Sequence, residues 1–128
     1  DSQINWLLGD YENVTGGAGN DNIDGNEFDN VIRGNAGNDT IDGWGGDDIL
    51  YGGDGADIFL KGVGEGNDII KDFDANIDVC QFYDGASTRD DSIATLSSTA
   101  EGYALYTLID DTTLLLEGTL YTDIATIA

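Results

Sequence analysis

A nine-residue frame occurs five times in succession, at residues 16–24, 25–33, 34–42, 43–51 and 52–60. Every copy begins with glycine, carries Asp or Asn at its sixth place and has a large apolar residue at its eighth. The sixth-place residues are Asp21, Asn30, Asp39, Asp48 and Asp57. The eighth-place residues are Ile23, Ile32, Ile41, Leu50 and Phe59. Because a fixed short period brings equivalent residues into register, the chain is predicted to fold as a stack of near-identical coils.

Each copy divides into a turn and a short strand. Its first six residues are rich in Gly, Asn and Asp, which suit a tight turn. Its last three form a strand whose middle side chain points inward. Together with Val14 and Ile70, the eighth places therefore make an apolar ladder that faces a shared interior. Two copies make one coil, so the turns alternate between two edges of a flattened solenoid.

The acids of successive coils are predicted to lie close together. One edge carries Asp21, Asp39 and Asp57, and the other carries Asn30, Asp48 and Asp68. Two carboxylates on coils about 4.8 Å apart repel each other by about 3 kcal/mol at an effective dielectric constant of 20. A Ca²⁺ ion between stacked turns removes this repulsion and suits an oxygen shell of carboxylates and carbonyls better than Mg²⁺ does. The alternative is that Asp and Asn only close Asx turns, without metal.

The overall composition supports a cationic ligand and excludes several functions. The chain of 128 residues has 26 acidic and four basic residues and a net charge of −22. Nucleic acid and membrane surfaces, both anionic, are therefore poor partners, and no apolar run is long enough to span a bilayer. There is no His, and the single Cys80 is predicted to be a buried small hydrophobe, so no catalytic site is expected. The first residue is Asp1 rather than Met, which favours a fragment or a processed product.

These repeats resemble the RTX, or hemolysin-type, calcium-binding family of secreted bacterial proteins. The terminal segment of that family resembles residues 55–82, which read GADIFLKGVGEGNDIIKDFDANIDVCQF. The tail from Asp91 to Ala128 resembles the β-rich cap of serralysin-type proteases, lipases and alginate epimerase modules. The resemblance implies an all-β fold, a right-handed parallel β-roll stapled by Ca²⁺ and followed by a β-rich C-terminal cap.

The resemblance also implies a set of metal ligands. They are the carbonyls at the first and third places of each turn and the carboxylate at the sixth, which would bind roughly three to five Ca²⁺ ions. On the first edge the ligands would be Gly16, Ala18, Asp21, Gly34, Ala36, Asp39, Gly52, Asp54 and Asp57. On the second edge they would be Gly43, Gly45 and Asp48, with Gly25, Glu27 and Asn30 forming a weaker site, and the terminal segment adds Asp68 and Asp72.

The chain is predicted to have three parts. Residues 1–15 form a degenerate repeat or cap with Glu12 at the acid place, 16–83 form the RTX β-roll with its terminal segment, and 84–128 form the cap. The cap is predicted to contain a hairpin around Asp110-Asp111 and a candidate secretion signal near Asp123. In the cap, the residues expected to pack over the end of the roll are Ile93, Leu96, Leu105, Leu115, Leu120 and Ile124.

The expected function is that of a non-catalytic module. It would pass unfolded through a type I secretion apparatus, fold outside the bacterium on Ca²⁺ and stabilise a secreted parent protein. One alternative is an accessory polysaccharide-binding module of an alginate epimerase or lyase-type enzyme, although only four scattered cations are available for a polyanion. The other alternative is a spacer in an RTX surface adhesin.

Overall fold

The regular structure of the chain consists mainly of short strands. The structure, a computed structural model, describes residues 3–4, 13–84 and 88–127. The strands are β1 (Gln3–Ile4), β2 (Asn13–Thr15), β3 (Asn22–Asp24), β4 (Val31–Arg33), β5 (Thr40–Asp42), β6 (Ile49–Tyr51), β7 (Ile58–Gly62), β8 (Asp68–Ile70), β9 (Val79–Tyr83), β10 (Ala94–Ser98), β11 (Tyr103–Leu108) and β12 (Thr113–Leu120). A 3₁₀ turn (Asp91–Ile93) precedes β10, and helix α1 (Tyr121–Ile127) follows β12.

The strands alternate between two parallel sheets, as the period predicts. One sheet has the order β1-β3-β5-β7-β9, and the other contains β8-β6-β4-β2 as neighbours. Residues 18 apart are in register, for example Ile23 with Ile41 and Ile32 with Leu50. Each pair of copies therefore makes one coil of a parallel β-roll, and the turns between strands lie along two edges.

The predicted apolar ladder forms the interior of the roll. In the three-residue strands β2 to β6 the middle side chain is buried while its neighbours are exposed or half-buried. Burial of each such side chain contributes about 1.5–3 kcal/mol. The ladder consists of Val14, Ile23, Ile32, Ile41, Leu50, Phe59 and Ile70.

The strict period ends within β7. This strand has five residues instead of three, and its whole length pairs with β9, so that Phe59 lies opposite Cys80. Cys80 continues the ladder but is only half-buried, which corrects the prediction of a buried residue. Strand β9, which carries Cys80, is the last strand of its sheet.

The C-terminal cap continues one sheet of the roll. Strands β10, β11 and β12 form an antiparallel meander, and β12 then pairs in parallel with β8, placing Leu116 opposite Ile70. This pairing covers the edge strand that the last coil would otherwise expose. The predicted hairpin is confirmed: β11 and β12 are joined around Asp110 and Asp111, the latter at φ 70°.

The prediction of which residues of the cap hairpin face inward is wrong by one position along the strands. Ala104, Leu108, Leu114 and Leu116 are buried, whereas Leu105 and Leu115 are half-buried and Leu120 is exposed. The pairing of β12 with β8 decides which alternate residues face inward, because a shift of one residue exchanges the two faces of a strand. Ile93 and Ile124 are buried as predicted, but Ile124 lies in a helix that the sequence did not indicate.

The N-terminal part is described only in pieces. Val14 is buried, and β2 pairs with β4 at the 18-residue spacing. Strand β1 pairs with β3, with Ile4 opposite Ile23. Glu12, predicted at the acid place, lies outside the described residues, and the boundaries after residues 15 and 83 remain predictions.

Candidate metal sites

The sixth-place acids form two columns, one along each edge of the roll. On the first edge, Asp21 N donates to Asp39 Oδ1 at 2.8 Å and Asp39 N donates to Asp57 Oδ1 at 2.9 Å. On the second edge, Asp48 N donates to Asp68 Oδ1 at 2.8 Å. Each carboxylate is thus held by the backbone of the coil before it. These side chains are buried although they are acidic.

The second oxygen of three of these carboxylates has no partner. Among the residues that the structure describes, the buried side-chain oxygens without a hydrogen bond are Asp39 Oδ2, Asp48 Oδ2 and Asp57 Oδ2. Burial of an unpaired polar atom costs about 1–3 kcal/mol, and more for a charged group. The carboxylates therefore lie where a cation would be bound strongly.

The first-place glycines make room beside these oxygens. A Cβ added to Gly34 would lie 2.5 Å from Asp39 Oδ2 and 2.8 Å from Gly52 O. Cβ atoms added to Gly43 and Gly52 would come closer still to the carboxylates of Asp48 and Asp57. Glycine at this place thus lets the carboxylate approach the backbone, so the residues present fit a cation held by carboxylate and carbonyl oxygens.

The later turns share a backbone conformation that favours glycine. Their fourth places, Gly37, Gly46 and Gly55, have φ of 106°, 80° and 106°. Their second places also have positive φ and are Asn35, Trp44 and Gly53. Added Cβ atoms at the fourth places would meet the backbone of the preceding coil, so both the close stacking and the conformation require glycine there.

Burial raises the pKa of carboxyl groups in both columns. It is the main cause that raises the pKa of Asp48 to about 8, with repulsion from Asp68 second. Burial likewise raises the pKa of Asp57 to about 7 and raises that of Asp39. A bound divalent cation would favour the ionised form of each carboxyl, so metal binding at these columns is expected to release protons.

The residues that carry the predicted carbonyl ligands differ in burial. Of the first-place residues, Gly25, Gly34, Gly43 and Gly52 are buried and Gly16 is half-buried. The third-place residues lie at the surface: Ala18, Ala36, Asp54 and Glu27 are exposed and Gly45 is half-buried. Within the described residues no group of three or more acidic or thiol side chains converges on one point. Backbone carbonyls must therefore supply most of any shell, and their assignment as ligands stays a prediction.

The second copy departs from the others at Asn30. Its Oδ1 accepts a hydrogen bond from Asn26 N at 3.3 Å, and its own backbone N donates to Asp48 Oδ1 at 2.8 Å. The amide keeps the position of the sixth-place acid but brings no charge. The site between Asn30 and Asp48 therefore has one carboxylate where its counterparts on the first edge have two.

Asp72 lies apart from the buried columns. Its side chain is exposed, and its two oxygens accept from Gly52 N at 2.8 Å and Gly53 N at 2.9 Å. In the preceding coil the equivalent glycine, Gly34, instead donates to the carbonyl of Tyr51. Asp72 thus replaces a strand carbonyl beneath the last repeat, and its role as a metal ligand stays a prediction.

The sequence analysis missed Asp78, which continues the first edge. Asp57 N donates to Asp78 Oδ1 at 2.8 Å, and Asp74 N donates to Asp78 Oδ2 at 2.8 Å. Residues 73–81 read FDANIDVCQ, with Asp78 at the sixth place and Cys80 at the eighth. The signal was present, but the copy begins with Phe73 instead of glycine.

Fifth-place side chains form a second set of hydrogen bonds between coils, which was not predicted from the sequence. Asn38 N donates to Asn20 Oδ1 at 2.7 Å, and Ala56 N donates to Asn38 Oδ1 at 2.8 Å. On the other edge Asp47 N donates to Asp29 Oδ1 at 2.7 Å. Fifth-place side chains thus bond to the following coil, whereas sixth-place side chains bond to the preceding one, and neighbouring turns are joined in both directions.

Comparison with known families agrees with this geometry. Residues 12–27 and 24–59 match the family model of the RTX calcium-binding nonapeptide repeat, in four copies. Residues 12–59 of this chain therefore carry RTX calcium-binding repeats. The chain, called the RTX module below, thus contains a calcium-binding repeat block, and no catalytic family is indicated for it.

A solved structure has the same fold as the RTX module. It is the solution structure of the AlgE6R3 subunit from the mannuronan C5-epimerase of Azotobacter vinelandii, with a TM-score of 0.63 and 25% sequence identity. The match covers 88% of this chain and 74% of that one. A search of the curated proteins gives no match. Within its described residues, the RTX module has no helix long and apolar enough to cross a membrane.

Proposed function

We propose that this RTX module couples its folding to Ca²⁺ and so stabilises a secreted bacterial parent protein outside the cell. The observation that carries the proposal is the set of buried oxygens without partners, Asp39 Oδ2, Asp48 Oδ2 and Asp57 Oδ2. Without a cation these carboxylates repel one another and oppose stacking of the coils. An ion at ten times its dissociation constant stabilises the folded state by about 1.4 kcal/mol. Several ions are thus worth a large part of a small domain's stability.

Low cytosolic Ca²⁺ would then keep the chain unfolded inside the bacterium. In that state it would pass through a type I secretion apparatus, and extracellular Ca²⁺ would fold it on exit. The net charge of −22 supports this order of events, because self-repulsion keeps the metal-free chain expanded. The ligands in this proposal are the first- and third-place carbonyls and the sixth-place carboxylates of the five repeats at 16–60, now with Asp78 added on the first edge.

Far-UV circular dichroism during a Ca²⁺ titration tests the coupling. We expect a disordered spectrum in chelator and a cooperative gain of β-structure with Ca²⁺, with Mg²⁺ much less effective. Export is tested separately, by co-expressing the chain with a type I exporter and assaying the medium. A protease-resistant chain is expected in medium with Ca²⁺ and a protease-sensitive one in medium with chelator. A chain that is already fully folded in chelator would contradict the proposal.

A second candidate function is binding of an anionic polysaccharide. Arg33 and Tyr51 are in register on neighbouring strands, with the Arg33 guanidinium 4.6 Å from the centre of the Tyr51 ring. Lys71 follows the next strand of the same sheet, where it pairs with Glu117 at 2.7 Å. Two of the four cations thus flank an aromatic ring on one face, although the sequence suggested that they were scattered. A cationic and aromatic row of this kind can hold a sugar acid.

Affinity electrophoresis in alginate gels tests this candidate, with Ca²⁺ present throughout. The double variant Arg33→Ala/Lys71→Ala should lose retardation, whereas Arg89→Ala, which removes an exposed cation paired with Asp91, should keep it. Equal retardation of all three proteins would exclude this face as the binding surface. The AlgE6R3 structure belongs to an enzyme that acts on mannuronan, which makes alginate the first polysaccharide to test.

A further inference from the structure

Lys61 is a buried cation at the end of the second edge. Its side chain is 1% exposed, whereas lysine is almost never fully buried unless it is paired. It lies in β7, beyond the point where the nine-residue period ends. The two residues by which the chain lengthens here bring its side chain to the turn formed by residues 63–68.

The Lys61 ammonium is bonded to three oxygens of that turn. Nζ donates to Asp68 Oδ2 at 2.9 Å and to the carbonyl of Glu65 at 3.3 Å, and it also contacts the carbonyl of Gly66. Three donors on the ammonium therefore meet one carboxylate and two carbonyls. This is the same combination of oxygens that a hard cation takes in such a turn.

The turn at 63–68 is equivalent to the turns of the repeats. Gly64 and Gly66 have φ of 84° and 79°, at the second and fourth places where the preceding repeats also have positive φ. Asp68 occupies the sixth place and accepts from Asp48 N through Oδ1, as its counterparts do one coil earlier. Glu65 occupies the third place, whose carbonyl is a ligand by resemblance to the family.

This turn differs from the turns of Asp39, Asp48 and Asp57 in the second carboxylate oxygen of its sixth-place acid. In Asp39, Asp48 and Asp57 that oxygen is buried without a partner, and in Asp68 it accepts from Lys61. We infer that the Lys61 ammonium is a built-in counter-ion that takes the place of Ca²⁺ at the last turn of the second edge. The inference rests on the proposed function, because it concerns which turns of the same columns take an ion.

A tethered cation acts differently from a bound ion. Its occupancy does not depend on the Ca²⁺ concentration, so the last turn of this edge carries its own compensating charge when it closes. The coils that carry unpaired carboxylates can then stack on a turn whose charge is already compensated. Residues 63–68 should therefore take up no Ca²⁺ at the oxygens that Lys61 occupies.

Crystals of the unaltered chain grown in Ca²⁺ and soaked in Tb³⁺ test this assignment. Anomalous difference density is expected beside the Oδ2 atoms of Asp39 and Asp57. It is not expected within about 2.6 Å of Asp68 Oδ2, where the ammonium should lie. A peak at Asp68 Oδ2 with the lysine displaced would overturn the inference. A crystal without peaks at any aspartate would overturn both the inference and the proposed function.

A count of bound ions by calorimetry gives an independent test. Lys61→Ala frees the three oxygens and should bind about one more Ca²⁺ per chain than the unaltered protein. Arg89→Ala is the matched control, since it removes the exposed cation of the pair with Asp91, away from the predicted ligands, and its ion count should not change. An unchanged count for Lys61→Ala, with Ca²⁺ still bound elsewhere, would make Lys61 an ordinary buried ion pair and overturn the inference alone. If this variant does not fold, the Tb³⁺ experiment decides.

Discussion

Asp57→Asn changes the first edge with the least change of shape. The amide keeps an oxygen that can accept the 2.9 Å hydrogen bond from Asp39 N, but it removes the charge and one carboxylate oxygen. Asp57 lies between Asp39 and Asp78 in its column, so the variant changes the candidate ion site on each side of it. At ten times the dissociation constant each ion contributes about 1.4 kcal/mol, and the loss of two therefore costs about 3 kcal/mol.

Urea unfolding in Ca²⁺, followed by circular dichroism, measures this cost. With a slope of about 1–3 kcal/mol per molar urea, a loss of about 3 kcal/mol lowers the midpoint by about 1–3 M. Asp54→Asn is the matched control, because Asp54 is exposed and is predicted to bind metal through its carbonyl only. Its free energy of unfolding should stay within about 0.5 kcal/mol of the original. Equal midpoints for the original protein and Asp57→Asn, or equal losses in the two variants, would refute the reasoning.

Three further changes test other parts of the same account. Gly34→Ala places a Cβ 2.5 Å from the Asp39 Oδ2 atom and should lower the free energy of unfolding in urea by about 1–3 kcal/mol. Gly64→Ala is its control, because the added Cβ meets nothing within 4 Å and the variant should lose only what the strain of its positive φ costs. Asn30→Asp adds the missing carboxylate on the second edge and should lower the Ca²⁺ midpoint of the circular dichroism titration; a higher midpoint would contradict this. In chelator, the folded-state pKa values of Asp48 and Asp57, about 8 and about 7, exceed the unfolded value of 3.8, so protonation favours the folded state. That contribution is complete below the unfolded pKa and is lost as the pH rises through 7 to 8, so the metal-free β-signal should be stronger at pH 5 than at pH 8.

The repeat alone was enough to predict the roll and its columns. A strict period of nine places Ile23, Ile41 and Phe59 in register, and the same spacing stacks Asp21, Asp39 and Asp57. In this region the local turn and strand preferences agree with the overall fold, so all five copies predict the same structure. The prediction of two edges with alternating turns followed directly and is confirmed.

The parts that the sequence did not predict depend on contacts between distant segments. The inward face of the cap hairpin follows from the pairing of β12 with β8, about 45 residues earlier in the chain. Asp78 lies 21 residues after Asp57 instead of 18, because the one coil between them is lengthened by three residues. Without the glycine that opens the other copies, its place in the column could be recognised only from the structure.

Lys61 shows why a single cation is hard to interpret from sequence. A lysine just after a strand usually lies in solvent, and nothing in its immediate neighbours indicates burial. Its partner oxygens are four to seven residues ahead, and they converge on Nζ only when the turn has closed.

Hydrogen exchange of three backbone amides tests the central claim most directly. The amides of Asp21, Asp39 and Asp48 each donate to a carboxylate one coil further along the chain, so their protection reports stacking at the acids themselves. We expect these amides to exchange as in an unfolded peptide in excess chelator and about a hundredfold more slowly, or slower still, once Ca²⁺ is added. Equal protection with and without Ca²⁺ would show that the coils stack without the ion and would contradict the account.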